Sequence, residues 1–189
     1  MIDTTGLVEI RWHGRGGQGA VTSTELLARA AINEGKYAQG FPSFGPERRG
    51  APVVAFDRID TKEPIRVRAE IAEPDVVIVL DPTLLNIVDV AAGLKPHGAL
   101  VINTRKSLAE IEEIFGDKRQ LAVLNASVIA REVVGVPIVN TTMLGALLRI
   151  APVVAMESLV APLEQRFGRL AGRNIDAMKR AFQETVVKE

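Results

Sequence analysis

The sequence predicts an α/β protein with a Rossmann-like, open and mostly parallel sheet, helices on both faces of that sheet, and a helical C-terminal segment. Short apolar segments alternate with segments of helical periodicity, as in a parallel sheet. Two of the apolar segments, 75–80 and 99–102, are continuous, which is typical of strands covered on both faces. Because 189 residues suffice for one well-buried core, we expect a single domain over 1–189.

The chain begins with a strand, a glycine-rich turn and a helix. Hydrophobic residues alternate over 7–12, which predicts the first strand, and the helical pattern of 22–34 ends at Gly35. Between them lies the segment 13–20, with the sequence HGRGGQGA. Glycines let the backbone approach an anion closely, and the N–H groups of the first helical turn point towards it. The turn therefore predicts a site for a phosphate or pyrophosphate.

The later elements continue the alternation. Ser107 and Glu110 have the spacing of a capping box, which marks the start of one helix. Further strands are predicted at 51–58, 75–80, 99–102 and 121–124. Helices are predicted at 83–92, 107–115, 126–134, 142–150, 156–167 and 171–187.

The glycine turn also matches the dinucleotide fingerprint G-x-G-x-x-G through Gly14, Gly16 and Gly19. A nicotinamide site needs, in addition, an acid about 20 residues further on to hold the ribose hydroxyls. The segment 36–45 contains no acidic residue, which disfavours NAD and FAD. An alternative stays open, in which the glycines only permit close packing of helix on strand.

Composition excludes several classes of function. The 23 basic and 23 acidic residues give no net charge, which favours neither a nucleic acid nor a membrane as partner. The chain has no cysteine, so it holds no disulfide and no iron–sulfur cluster on its own thiolates. Its two histidines, His13 and His97, do not combine with acids at metal-ligand spacing, so we expect no metal site. With no signal peptide and no membrane-spanning segment in the sequence, we expect a cytoplasmic protein.

Polar residues follow the later strands, at the edge of the sheet where open α/β folds bind ligands. Asp81 and Asn103 occupy such positions. Both residue types also suit helix N-caps, and for each residue singly capping is the simpler interpretation.

A second unusual segment is the loop 41–52, which contains three prolines, Ser43 and the pair Arg48 and Arg49. The paired guanidinium groups suit a phosphate or the carboxylate of a partner. The alternative is a solvated loop in which Glu47 neutralises one arginine. No hydroxyl in the chain has a histidine and an acid arranged recognisably around it, so the sequence contains no nucleophile motif.

Five motifs occur in the order HGRGGQGAVTS, FPSFGPERRGAPVVAFDRID, VIVLDPTLL, VINT and VNTTMLGAL. Together they resemble the gamma subunit of pyruvate:ferredoxin oxidoreductase, within the 2-oxoacid:ferredoxin oxidoreductase family. The resemblance extends from Val8 to about Phe182. Pyruvate and branched-chain members are closer than 2-oxoglutarate members, whose corresponding motifs usually read FGGQG and SYGPEARGG.

The resemblance implies a complex of alpha, beta, gamma and delta subunits that oxidatively decarboxylates a 2-oxoacid. Such a complex passes electrons to ferredoxin and transfers the acyl group to coenzyme A. Thiamine diphosphate, Mg²⁺ and iron–sulfur clusters belong to the partner subunits. The gamma subunit carries no cofactor alone and is implicated in holding coenzyme A as substrate, and its isolated chain is expected to be inactive.

Carried over residue by residue, the resemblance implies that the backbone of the glycine turn and the Gln18 amide contact the nucleotide phosphates. The arginine pair would contact phosphate or a sister subunit. The candidate coenzyme A residues are Gly14, Arg15, Gly16, Gly17, Gln18, Gly19, Ser43, Arg48, Arg49, Asp81, Asn103, Asn140 and Thr141. Alternatives are a purely structural subunit of the same complex, a branched-chain or 2-oxoglutarate homologue, and a free-standing NAD oxidoreductase. A homodimer of the isolated chain also stays open.

Overall fold

The computed structural model describes residues 1–43, 50–116 and 119–188. Within these ranges, the strands are β1 (Leu7–Arg15), β2 (Tyr37–Pro42), β3 (Pro52–Asp60), β4 (Val76–Val79), β5 (Ala99–Asn103), β6 (Gln120–Leu124) and β7 (Val186–Val187). They form one sheet in the order β2-β3-β1-β4-β5-β6-β7. The pairs β1–β4, β4–β5 and β5–β6 are parallel, whereas β2–β3, β3–β1 and β6–β7 are antiparallel. Five of the seven strands therefore point in one direction, which confirms the predicted mostly parallel sheet.

The α-helices are α1 (Ala20–Asn33), α2 (Leu108–Phe115), α3 (Ala126–Ile129), α4 (Asn140–Ile150), α5 (Val160–Phe167) and α6 (Ala171–Glu184). A π-helical turn (Ala130–Val134) continues α3. Short 3₁₀ turns cover Pro82–Asn86, Met156–Leu159 and Gly168–Leu170. In the ranges given above, no helix is both long and apolar enough to cross a bilayer.

Helices cover the sheet on both faces, as the continuous apolar strands predict. On one face, Ile78 of β4 belongs to a core shared with α1, α4 and α6. On the other face, Val77 and Val79 pack with Leu84 and with Ile111 of α2. Alternate residues of a strand point to opposite faces, so a strand that is buried on both must be apolar throughout.

The parallel strands bring their carboxyl ends to one edge of the sheet. Residue pairs such as His13–Val79, Val79–Ile102 and Ile102–Val123 lie side by side in the register. The turn into α1 follows β1 at this edge, and α3 follows β6 there. Open α/β sheets bind ligands at this edge.

Two predicted helices end earlier than expected. The predicted helix 83–92 forms only the 3₁₀ turn Pro82–Asn86. Beyond that turn, Arg11 of β1 donates to the carbonyl oxygens of Val90 and Ala92. The predicted helix 171–187 ends at Glu184, and the β-branched pair that follows forms β7 against β6.

The first strand is longer than predicted. It continues to Arg15, with Gly14 opposite Val53 of β3. The prediction that Gly14 belongs to the turn is therefore wrong, because the antiparallel neighbour β3 extends the ladder past His13. The predicted capping box is confirmed: Ser107 Oγ accepts from the N–H of Glu110, and Glu110 accepts from the N–H of Ser107.

Candidate functional site

Helix α1 begins with unused hydrogen-bond donors. Gly17 and Gly19 adopt positive φ angles of 93° and 83°, so the turn after β1 needs glycine at both positions. Gly19 is the N-cap, and no side chain caps the helix. The N–H of Ser23 makes the first helical bond, to Gly19 O, whereas the N–H groups of Ala20, Val21 and Thr22 have no acceptor among the described residues. The first turn also contains no acid, so this helix end attracts an anion.

A clamp of three side chains fixes the turn. The Gln18 amide accepts from the Arg15 N–H at 2.7 Å and donates to Asp81 Oδ2 at 2.8 Å. Arg15 Nε lies 3.1 Å from the same carboxylate oxygen, and Arg15 also donates to Gly50 O and to Thr83 Oγ1. Asp81 in turn accepts from the N–H of Thr83 and caps the 3₁₀ turn. The clamp joins the end of β1 to the end of β4.

Asp81 is ionised and accepts the hydrogen bonds that hold this clamp together. Burial alone would raise the pKa of Asp81, but hydrogen bonds from Thr83 and Gln18 and the charge of Arg15 outweigh it and lower that pKa below its usual value. Asp81 Oδ2 and Oδ1 both have partners, so neither oxygen is placed to exchange a proton with a ligand.

A cleft of about 290 Å³, here called the turn cleft, opens beside the N-terminus of α1. Its polar lining comes from Gly17, Gly19, Thr22, Asn140 and Asn174, with Arg166 at the surface. Its apolar wall consists of Val134, Val136, Ile138, Phe167 and Leu170. A cleft with free donors at one side and an apolar wall at the other suits an amphipathic ligand with phosphate groups.

Asn140 is the buried polar residue of the turn cleft whose amide is unused. The residue is only 4% exposed, yet its side chain has no hydrogen-bond partner within the described ranges. A Cβ atom added to Gly19 would lie 2.7 Å from Asn140 Nδ2, so the glycine lets the turn approach this amide. The amide therefore lies beside the open end of α1, where it can donate to a ligand.

The structure brings Arg15, Gly17, Gln18, Gly19, Asp81 and Asn140 together. Only part of the predicted backbone cradle is available, because the Gly16 N–H donates to Ala51 O and the Gln18 N–H to Arg15 O. Thr141 is completely buried behind the cleft and donates to Asn174 Oδ1 at 2.8 Å.

Two other predicted residues stand apart from the turn cleft. Asn103 donates to Leu80 O at 2.8 Å and to Ser127 Oγ at 3.0 Å, so it ties the ends of β4 and β5 to α3. Ser43 follows β2 and donates to Glu70. Arg48 and Arg49 lie outside the described residues.

His13 is buried in β1, where its Nε2 accepts from Arg11 Nε at 3.1 Å. Burial, reinforced by the positive charge of Arg11, lowers the pKa of His13 to about 4. The imidazole is neutral at pH 7 and acts as an acceptor inside the fold. Within the described residues, no three His, Asp or Glu side chains come together as metal ligands.

Sequence reasoning missed part of the cleft. Its lining includes three polar residues that were not predicted, Thr22, Arg166 and Asn174. It also includes Val136 and Ile138, two exposed apolar residues on either side of Pro137. In the sequence, apolar residues on both sides of a proline could have indicated this segment. Nothing in the sequence indicates Thr22, Arg166 or Asn174, because they meet only in the folded chain.

Comparison with known proteins gives consistent matches over nearly the whole chain. The family described as pyruvate ferredoxin/flavodoxin oxidoreductase matches residues 9–184. The chain is similar to the pyruvate/ketoisovalerate oxidoreductases common subunit gamma of Thermococcus litoralis, with 52% identity over 97% of this chain and 100% of that one. It is also similar to the crystal structure of pyruvate oxidoreductase subunit PORC from Thermotoga maritima, with 37% identity, a TM-score of 0.86, and coverage of 98% of this chain and 100% of that one.

A more distant structural match concerns the fold alone. The 2-oxoglutarate:ferredoxin oxidoreductase of Magnetococcus marinus, solved with 2-oxoglutarate, coenzyme A and succinyl-CoA bound, matches with a TM-score of 0.77 and 21% identity. That match covers 94% of this chain and 30% of the longer one.

Proposed function

The chain belongs to the pyruvate ferredoxin/flavodoxin oxidoreductase family as a gamma subunit of the pyruvate/ketoisovalerate type, and from this premise we propose that it binds coenzyme A for its complex. The complex would oxidatively decarboxylate a 2-oxoacid, pyruvate foremost, to acyl-CoA, CO₂ and reduced ferredoxin. Its partners would be alpha, beta and delta subunits. Residues 1–189 would act as one domain that holds the acyl acceptor.

One observation supports the proposal above the others: the open N-terminus of α1. Three consecutive N–H groups, from Ala20 to Thr22, have no acceptor in the described part of the chain. Of these three residues Thr22 lines the turn cleft, together with Gly17 and Gly19. The diphosphate of coenzyme A is an anion of the kind that such a helix end binds.

The lining of the turn cleft supports a nucleotide rather than a free anion. Next to the donors, the apolar wall from Val134 to Leu170 offers contact area for an adenine ring or a pantetheine arm. Asn140 adds an amide beside the proposed diphosphate. A free anion would use the donors and leave the apolar wall unoccupied.

The predicted residues divide between two roles in this proposal. Gly17, Gly19 and Asn140 contact the ligand, whereas Arg15, Gly16, Gln18 and Asp81 hold the turn in shape through the clamp. Thr141 positions Asn174, which borders the turn cleft, and Asn103 fixes the neighbouring strand ends. Gly14 belongs to β1 and lies opposite Val53 of β3.

The loop arginines complete the proposed set. Arg49 precedes Gly50, whose carbonyl oxygen accepts from Arg15 at 3.0 Å, so the loop returns to the sheet beside the turn. We propose that Arg48 and Arg49 pair with phosphate or with a sister subunit, and that Ser43 anchors the start of the loop through Glu70.

In this mechanism the chain binds and orients coenzyme A without taking part in bond chemistry. Thiamine diphosphate on the partner subunits supplies the decarboxylation chemistry when bound. Among the described residues, the lining of the turn cleft contains no Asp, Glu or His. Elsewhere along this edge, Asp81 is ionised with both oxygens engaged, and His13 is buried and neutral. The role of this chain is to fix the nucleotide end so that the thiol reaches the acyl group.

The test is calorimetric titration of coenzyme A into the chain alone and into the reconstituted complex. Asn140→Asp places a negative charge beside the proposed diphosphate with almost no change in volume, so we expect affinity to fall about 10-fold or more. Asn33→Asp makes the same change at the opposite end of α1 and should leave affinity unchanged. Equal affinities for wild type and Asn140→Asp would contradict the proposal.

A second function, assembly of the complex, is favoured by a separate observation. Val136, Ile138 and Leu170 on the apolar wall are 45 to 47% exposed, and a partner subunit would bury them. Size exclusion of a complex prepared without this chain distinguishes the two functions. Normal assembly with lost acyl transfer supports coenzyme A binding, whereas failed assembly with retained coenzyme A transfer supports a structural role.

A further inference from the structure

A second groove lies on the same edge of the sheet, at the ends of β5 and β6. It has a volume of about 440 Å³ and is here called the cationic groove. Arg105, Lys106 and Arg131 line it, together with Asn125, Ser127 and Pro137. Three cations in one groove are notable in a chain whose net charge is zero.

Within the described part of the chain, none of these three cations forms an ion pair. Elsewhere, cations such as Arg58 and Arg180 form ion pairs with carboxylates. Among the described residues, no carboxylate oxygen lies within 4.0 Å of the side-chain nitrogens of Arg105, Lys106 or Arg131. Guanidinium groups without a partner carboxylate are the groups that proteins use to bind phosphate.

Glu110, an acid influenced by the charge of Lys106, is already engaged. Glu110 receives hydrogen bonds from the N–H and Oγ of Ser107, which lower its pKa, with a smaller contribution from the charge of Lys106. The same capping box closes the N-terminus of α2. Recognition of an anion in this groove therefore has to come from the side chains of Arg105, Lys106 and Arg131.

The floor of the groove is held in place by hydrogen bonds. Asn103 connects Leu80 O with Ser127, and the Ser127 N–H donates back to Asn103 Oδ1. Thr104 Oγ1 accepts from the Lys106 N–H at 3.0 Å, which fixes the backbone that carries two of the cations. The cations therefore extend from an ordered base.

The cationic groove and the turn cleft share a wall. Pro137 lines the groove, whereas its neighbours Val136 and Ile138 line the turn cleft. In the sheet, β5 lies two positions from β1, and at about 4.8 Å for each position these two strands are roughly 10 Å apart. One ligand with two separated anionic groups can occupy both.

We propose that the cationic groove binds a phosphate monoester, namely the 3′-phosphate of the coenzyme A whose diphosphate lies at α1. This inference rests on the proposed function. A phosphate monoester carries nearly two negative charges at pH 7, more than either phosphate of a diphosphate diester, and so matches three cations that have no ion-pair partner among the described residues. The turn cleft would then hold the diphosphate, and the cationic groove would distinguish coenzyme A from ligands that lack the 3′-phosphate.

The test compares coenzyme A with dephospho-coenzyme A, which lacks only the 3′-phosphate, by calorimetry on the full chain and on the complex. Wild type should bind coenzyme A about 10-fold more tightly or better, as expected for charge-assisted hydrogen bonds. The double variant Arg105→Gln/Arg131→Gln should lose this preference while keeping its affinity for dephospho-coenzyme A within about twofold. Arg29→Gln/Arg66→Gln removes two exposed arginines outside both sites and should keep the preference.

The outcomes separate failure of this inference from failure of the proposed function. Equal affinities of wild type for the two ligands, or equal weakening of both by the double variant, would overturn the inference and leave the turn cleft intact. A double variant that keeps the preference but no longer co-elutes with the partner subunits would assign the groove to a subunit contact. If wild type binds neither ligand, the proposed function fails and the inference fails with it.

Discussion

Gln18 shows how a single side chain can shape a site without facing the ligand. Its amide is used at both ends, by the Arg15 N–H and by Asp81, so it holds the turn in the conformation that opens α1. Asn140 has the complementary role, because its amide lies beside the turn and has no hydrogen-bond partner among the described residues. Residue type alone does not separate these roles. They depend on which partners the fold brings within hydrogen-bond distance.

The Arg11–His13 pair predicts a pH-dependent stability. The folded pKa of His13 is about 4, below the value of 6.5 that it has when unfolded, so the unfolded chain binds the additional proton. The free energy of unfolding therefore decreases as the pH falls below 6.5, and it continues to decrease until about pH 4. Between pH 7 and pH 5 the contribution of His13 amounts to about 2 kcal/mol.

The measurement is urea unfolding of wild type and His13→Gln at pH 7 and pH 5. Burial raises the pKa of Asp57, which accepts a hydrogen bond from Trp12, so Asp57 changes the stability with pH in the opposite direction. Because both proteins contain Asp57, its contribution cancels in the difference between them. The stability advantage of wild type over His13→Gln should shrink by about 2 kcal/mol at pH 5. His97→Gln, at an exposed position, should follow wild type. An advantage that is the same at both pH values would contradict the assignment.

At the scale of elements, α1 and α2, which both begin at the ligand edge, differ in how their N-termini are closed. Helix α2 carries a complete capping box, whereas α1 begins at an uncapped glycine. Both features are present in the sequence, where Ser107 and Glu110 predict one start and the glycine turn predicts the other. Periodicity does not reveal that β3 extends β1 past His13 or that Arg11 binds carbonyl groups in the segment after the 3₁₀ turn, because both are contacts between distant segments.

The close packing of α4 on α6 leaves no room for a side chain at Gly145. A Cβ atom at Gly145 would lie 2.0 Å from the carbonyl oxygen of Met178, which is backbone and moves only if α6 moves. We expect Gly145→Ala to lower the free energy of unfolding by about 2 kcal/mol or more. Thermal and urea unfolding measure this change.

The matched control is Gly172→Ala within α6, where an added Cβ meets nothing within 4 Å. Alanine is the better helix former, so this variant should gain up to about 1 kcal/mol. If both variants are as stable as wild type, the described contact between α4 and α6 is wrong.

For the whole molecule, strand order decides which nucleotide fits. In dinucleotide-binding folds, the second strand lies beside the first and its end carries the acid for the ribose. Here the antiparallel β3 occupies that position, and β2 is displaced to the edge of the sheet. The sequence predicted the missing acid, but the displaced strand appears only in the fold. Both observations disfavour NAD at the turn cleft.

The proposed binding of coenzyme A at the open end of α1 can be followed residue by residue. The most direct measurement is the shift of backbone amide resonances in the ¹⁵N-labelled chain on titration with coenzyme A, with NAD as comparison. The amides of Gly17, Gly19, Ala20, Val21 and Thr22 should shift most with coenzyme A and stay unchanged with NAD. Coenzyme A that leaves these amides unmoved, or NAD that shifts them equally, would contradict the account.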